Sequence, residues 1–299
     1  MDDPLGISLR FASYLDLMLL FGLPLFFLYA WRGEERTQAQ GLACLAPLLA
    51  AIAAAGLLLS FASMLQMAMV MSGASGWLQA WPHVWAMIVE TELGLTWMLR
   101  IGALCLALGI ALAPPLAPDR RLPATGLLGG VALATLAWGG HGAMHDGPLG
   151  VFHLANDILH LLAAGGWLGA LVGFSLMLFR RGIALGGLAR ALQGFEWIGG
   201  LFVTTLVVTG AINYLMIAGL RFGRAIALDY WLLLVAKLTL FALMLGMALL
   251  NRIRLAPALQ QGYPARATRN LRLSIGLEFL AALAILVLVA WLGTLGPET

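Results

Sequence analysis

Eight long apolar stretches dominate this sequence and leave little choice of fold. They run at roughly 8–31, 42–72, 93–113, 124–139, 151–179, 192–219, 229–250 and 272–295. Crossing the hydrocarbon of a bilayer takes about 20 apolar residues in a helix. Only 10% of the 299 residues are charged, against about 25% in a soluble domain. With no water in the hydrocarbon, backbone amides must bond within their own segment, which selects helices. The expected fold is therefore all-α: a polytopic integral membrane bundle of about eight transmembrane helices. Residues 1–299 read as a single integral membrane domain, with no internal repeat and no second soluble unit. Several stretches exceed the length needed to span, so tilt or extension beyond the bilayer is expected.

The N-terminus begins MDDPLG, acidic rather than basic, and no small-residue cleavage site follows; it reads as the first spanning helix. Cys44 and Cys105 stand alone in apolar segments and read as small core hydrophobes. Twelve of the 17 basic residues fall in or beside the loops 32–41, 114–123, 180–191 and 251–271: Arg32, Arg36, Arg120, Arg121, Arg180, Arg181, Arg190, Arg252, Arg254, Arg266, Arg269 and Arg272. The positive-inside rule makes that face cytoplasmic and both termini periplasmic. Arg221 and Arg224, in the loop 220–228, run against the pattern. The net charge of +3 comes from basic loops and gives no support to nucleic-acid binding. No P-loop, GxSxG or HExxH is present, and no loop is long enough to house nucleotide-driven machinery.

Four of the five histidines fall within twenty residues: His141, His145, His153 and His160. The fifth, His83, lies in the other outward loop, 73–92, so all five are expected on or near the outer face. Imidazole is the commonest protein ligand for transition metals, and ionisable groups at membrane depth are functional candidates. His153, Asp157 and His160 follow i, i+4, i+7 spacing and share one helical face. A hydrogen-bonded polar seam between helices is the alternative for that face. His141 and His145 sit in a Gly-rich loop (140–150) able to fold over the mouth of the bundle.

Met64, Met67 and Met71 form a stripe on the second helix, with Met69 beside it, and Met144 adds a thioether in the histidine loop. Thioether sulfur is soft and selects Cu(I) over zinc or magnesium. A core role accounts for such a stripe equally well. Trp77, Trp81 and Trp85 are four apart, which predicts a short helix lying in the membrane interface. Gly165, Gly169 and Gly173, also four apart, predict close helix packing. Asp16, Arg100 and Lys237 are charges inside spans, near Tyr14, Asn213 and Tyr214 in depth. Such charges face the interior and pair, so Asp16 is expected with Arg100 or Lys237. Glu196 and Glu278, with Arg180, Arg181, Arg190, Asn251 and Arg252, read as interfacial ion pairing on the inner side.

The segment GGHGAMHDGP…NDILHLLAAGGWLGAL resembles the signature of the copper resistance protein D (CopD) family. ELGLTWMLR at 92–100, VVTGAINYL at 207–215, DYWLLLVAKLTLF at 229–241, NRIRLAPAL at 251–259 and LRLSIGLEFLAALAILVLVAWLGTLGP at 271–297 are similar to it as well. The resemblance covers most of the chain from about residue 90 onward. It implies a bacterial inner-membrane protein of eight spans that handles copper, moving it from periplasm toward cytoplasm. It also implies a separate periplasmic copper-binding partner resembling CopC. The family's histidine pattern maps onto His141 and His160, followed by Trp167; Asp157 matches less closely.

Together these readings point to a copper permease and not to an enzyme. His141, His145 and His83 would capture Cu(I) or Cu(II) outside, helped by Met144, Met64, Met67 and Met71. His153, Asp157 and His160 would then pass it inward. Imidazole must shed its proton to bind metal, so uptake should weaken below a pH of about 6.5. Two other functions stay open: a haem b-binding electron-transfer protein using helical histidines as axial ligands, and a docking subunit for a periplasmic copper carrier.

Overall fold

The computed structural model describes residues 3–30, 45–113, 118–140, 146–179, 185–220, 227–255, 257 and 264–295. Among these, nine helices follow one another: α1 (Pro4–Ala30), α2 (Leu45–Ser72), α3 (Trp77–Glu90), α4 (Glu92–Leu112), α5 (Pro118–Ala134), α6 (Gly147–Phe179), α7 (Leu185–Ala218), α8 (Leu228–Leu250) and α9 (Pro264–Leu292). A 3-10 turn (Thr135–Gly139) extends α5, and a π-helical turn (Asn251–Leu255) closes α8. Eight of the helical segments are long and apolar enough to cross a membrane. The fold is the all-α membrane bundle the apolar stretches predict.

The exception is α3, the short helix expected from the tryptophan spacing. Trp77, Trp81 and Trp85 are each 60% exposed or more. Ala80, Val84 and Met87, on its other face, pack with Met64, Ala68 and Trp97. Indoles pointing away from the bundle beside a buried aliphatic face are what an interface-lying helix requires.

Contacts between helix ends give the up-and-down order. The Gln66 Nε2 of α2 donates to Asp3 Oδ2 before α1, at 3.0 Å. That bond and the Gly6 N–H hold the Asp3 carboxyl below its ordinary range. The Arg10 guanidinium of α1 lies beside Gly293, just past α9, so the start of α1 and the end of α9 share a face. On the opposite face Arg252 pairs with Glu196 at 3.8 Å, joining α8 to α7. There too Arg272 of α9 donates through Nε and Nη2 to the Leu178 carbonyl of α6, at 3.1 and 2.6 Å. These two surfaces are the histidine side and the arginine side below.

Helix α1 is the centre, packed by α2, α5 and α6. Its contact with α6 depends on glycine. Any Cβ at Gly22 would strike the backbone of Gly165 and Gly169, and one at Gly173 would strike the Phe26 ring. The three glycines spaced four apart therefore serve close packing, as their spacing predicts. Cys105 is exposed on the surface of α4, not in the core the sequence suggests. Its position on that helix turns it away from α2 and α5. Cys44, Arg32, Arg36, Arg180, Arg181, Arg221 and Arg224 lie outside the described residues.

Candidate metal centre

Helix α6 carries the central feature. It starts at Gly147, earlier than the apolar stretch suggests, so His160 lies 13 residues into it, about 20 Å at 1.5 Å per residue. Polar side chains there are costly unless bonded, and α7 supplies the partners. Asn156 Nδ2 donates to the Thr209 carbonyl at 3.0 Å and to Asn213 Oδ1 at 2.6 Å. Asn213 Nδ2 donates to Asp157 Oδ1 at 3.0 Å. His160 Nδ1 meets Thr209 Oγ1 at 2.8 Å. Lys237 of α8 acts electrostatically on both Asp157 and His160, and Tyr14 of α1 on Asp157 and Arg100.

The histidine tautomer follows from this network. The Thr209 hydroxyl has one proton, and it goes to the Thr205 carbonyl at 2.5 Å. Thr209 Oγ1 must therefore accept from His160, which places the imidazole proton on Nδ1. The Nε2 lone pair is left for a ligand. A metal-binding imidazole is held in this way, its second nitrogen donating to a fixed acceptor. Gly210 faces the same ring, where a Cβ would sit 3.5 Å from Cε1. The α6 face is thus a hydrogen-bonded polar seam to α7, in which His160 Nε2 has no hydrogen-bond partner among the described residues.

His153 is fully buried, with 0% exposure. It precedes His160 by two helical turns, about 10 Å along the axis, too far for both rings to bind one ion. Among the described residues no group of three or more His, Cys, Asp or Glu could hold a metal ion. The described face therefore offers successive single positions. His141, Met144 and His145 lie outside the described residues. Gly140, the last described residue before them, lies beside the site: a Cβ there would be 3.9 Å from Asp157 Oδ2.

The methionine stripe does not form one donor set. Met64 is buried in the apolar cluster with Ala80, Val84, Met87 and Trp97, and Met67 and Met69 flank that cluster. Met71 is 73% exposed. Helix α2 packs on α1, α3 and α4, whereas the His160 network is built on α6 and α7. Sharing a side of the membrane did not make these residues neighbours. His83 is exposed on α3, within that separate group.

Two expected charge pairings are corrected. Arg100 pairs with neither Asp16 nor any other carboxylate among the described residues. Its Nε donates to Thr135 Oγ1 at 2.7 Å and its Nη2 to the Thr135 carbonyl at 3.2 Å, in the 3-10 turn against α4. Asp16 Oδ2 is buried without a hydrogen-bond partner among the described residues, facing Gly56 of α2 and Leu104 of α4. Lys237 instead lies within electrostatic range of Asp157 and His160. Glu278 is no interfacial ion-pair member. It is 2% exposed, bonded to Asn251 Nδ2 and, at 3.4 Å, to Ser274 Oγ. Glu196 does pair with Arg252 at the surface, as expected.

Asn156 and Thr209 are functional candidates that sequence reasoning passes over. The signal was present in two facing i, i+4 pairs, Asn156 with His160 and Thr209 with Asn213.

Two family models match parts of the chain: the copper resistance protein D-like N-terminal domain matches residues 1–151, and copper resistance protein D matches residues 189–292. A relative named "Copper resistance protein D", from Pseudomonas syringae pv. tomato, is 48% identical over 311 aligned residues, spanning 100% of this chain and 98% of the relative. The chain belongs to the copper resistance protein D family. A second relative, "Inner membrane protein YebZ" of Escherichia coli (strain K12), is 29% identical over 293 residues, covering 97% of this chain and 98% of the relative. No solved structure matches significantly. This family member is a multi-pass protein of the bacterial inner membrane, embedded in its bilayer, with a role in copper resistance and homeostasis.

Proposed function

We propose that this protein binds copper on its histidine side and conducts it across the inner membrane toward the cytoplasm. The observation that carries the reading is the Thr205–Thr209–His160 chain. It fixes an imidazole inside the bundle with Nδ1 protonated and Nε2 without a hydrogen-bond partner among the described residues. Asp157 stands one turn nearer the histidine side, and Gly140 lies beside it. Copper as cargo would meet His141, His145 and Met144 first, then His153, then the Asp157 and His160 level. Successive single positions suit a permease, because an ion that is held too well does not leave. The concentration of arginines opposite makes the histidine side periplasmic.

A periplasmic copper-binding protein of the CopC type is the natural donor, and the exposed polar edge of α3 carrying Gln79 and His83, away from the indoles, is the surface we assign to it. The protein acts as a carrier, not an enzyme. A haem held between helices draws axial ligands from both sides, and the helices packed on α6 contain no histidine. That favours copper over haem b at His160.

Metal analysis and an optical spectrum of the purified protein test the reading, comparing wild type with His141→Ala and His160→Ala. The expected result is bound copper, no Soret band, and less copper in each variant. Copper flux into proteoliposomes that is saturable and lost in His160→Ala completes the case. A wild-type protein that binds neither Cu(I) nor Cu(II) would overturn it. Binding without flux would leave a docking role.

A further inference from the structure

The arginine-side half of the bundle holds a second polar site that the copper reading does not use. Glu278 lies in α9, 2% exposed, and Asn251 opens the π-helical turn that closes α8. Single π turns inside long helices recur at functional positions. Asn251 Nδ2 and Ser274 Oγ both donate to the same carboxyl oxygen, Glu278 Oε1. Asn251 is itself 9% exposed, and its Oδ1 is buried with no hydrogen-bond partner among the described residues.

No cation among the described residues offsets Glu278. The charged groups on each packed element are turned elsewhere. The part of α8 from 238 to 250 has none, and Lys237 interacts electrostatically with Asp157 and His160, not with Glu278. In the π turn, Arg252 and Arg254 are exposed, and Arg252 is taken by Glu196. Residues 161–179 of α6 and 17–30 of α1 hold no charge, and Tyr29 is their one titratable side chain. On α9 itself, Arg269 is exposed and Arg272 is committed to the Leu178 carbonyl and the Phe179 ring.

A carboxylate beside a primary amide uses only the amide's donor. A carboxylic acid uses both sides: it accepts from the N–H and donates its own O–H to the amide oxygen. The first of those bonds is present, and the acceptor for the second is the unsatisfied Asn251 Oδ1.

We propose that Glu278 and Asn251 form a proton-binding site in the arginine-side half of the bundle. The proton comes from water on that side and forms an O–H bond at Glu278 Oε2. That O–H then donates to Asn251 Oδ1. No bond between heavy atoms changes and nothing is oxidised or reduced. Because Asn251 belongs to the π turn and Glu278 to α9, protonation tightens the contact between α8 and α9, and deprotonation loosens it.

The test is infrared spectroscopy of the full chain in liposomes, without copper, between acidic and alkaline buffer. Wild type should show a carboxylic-acid C=O band that sharpens at low pH and is lost in Glu278→Gln. Ser274→Ala, which removes one weak bond and preserves the fold, should shift that band's frequency. Identical difference spectra for wild type and Glu278→Gln would overturn the proposal. If Glu278→Gln fails to fold, carbodiimide labelling of wild type decides. Labelling at Glu278 that falls as pH rises supports the site, and an unlabelled Glu278 sinks it. Neither measurement involves copper, so failure of the copper reading and failure of this site are separately visible.

Discussion

His160 Nδ1 and Thr209 Oγ1 stand 2.8 Å apart across the α6–α7 interface, and the Thr209 hydroxyl is already committed to the Thr205 carbonyl. The hydroxyl oxygen therefore orients the imidazole without competing for its metal-binding nitrogen. Thr209→Val keeps the shape and removes the acceptor. Partners of this kind carry about 10–100-fold in metal affinity. Copper affinity measured by competition with a chromogenic Cu(I) chelator should fall within that range in Thr209→Val. Thr209→Ser should retain it. Equal affinity in Thr209→Val and wild type would show that the ring is held by something else.

Asn213 occupies the middle of the same interface, donating to Asp157 and accepting from Asn156. Asn213→Leu leaves an acidic oxygen and an amide hydrogen unpartnered in the bundle. Each unsatisfied group costs about 1–3 kcal/mol, more where a charge is involved. A lower melting temperature in detergent is expected, whereas Asn213→Asp should disturb Asp157 further by like-charge repulsion. Unchanged melting in Asn213→Leu would mean that water or lipid headgroups satisfy Asp157 instead.

What could be read from the sequence, and what could not, separates along one physical line. Position along a helix axis is legible: span lengths, the α3 tryptophans and the glycines facing Gly22 all follow from periodicity. So is the shared α6 face, because spacing within one helix fixes it. Rotation of one helix about its axis relative to another is not legible. Asp16 and Arg100 share the interior of the bundle, yet Asp16 turns to Gly56 and Arg100 to Thr135. Met64 shares a membrane side with the histidines but packs into α3 and α4. Thr209 carries no distinguishing signal in sequence, because a threonine in a membrane helix ordinarily bonds its own preceding turn. It does so here, and that bond is what fixes its role toward His160. Glu278 shares its depth with several arginines, yet its partners are Asn251 of the π turn and Ser274 one turn before it.

The α1–α6 contact makes a sharper stability prediction. Gly169→Ala puts a methyl group onto the Gly22 backbone and forces the two helices apart. Overpacking of this kind costs about 1–3 kcal/mol, and backbone offers no flexible side chain to yield. Gly102→Ala on α4 meets nothing within 4 Å. Alanine there gains the helix-propensity difference of about 1 kcal/mol over glycine. Thermal unfolding in one detergent should rank Gly102→Ala at or above wild type and Gly169→Ala clearly below. The reverse order would contradict the packing of α1 on α6.

The partner of Arg100 can be decided by a double-mutant cycle. Its guanidinium makes two bonds to Thr135, one to the hydroxyl and one to the carbonyl. Hydrogen bonds to a charged group contribute about 1.5–3 kcal/mol. Arg100→Met and Thr135→Val should therefore couple, each change being less harmful once the other is present. Arg100→Lys should not rescue, because an ammonium lacks the planar fork that reaches both oxygens. Asp16→Asn and Arg100→Met, by contrast, should add, because residues that share no contact behave independently within about 0.3–0.5 kcal/mol. Unfolding midpoints for the single and double variants measure both couplings in one experiment. A large Asp16–Arg100 coupling, with none between Arg100 and Thr135, would restore the ion pair that depth alone suggests and refute the arrangement of α4 against the 3-10 turn.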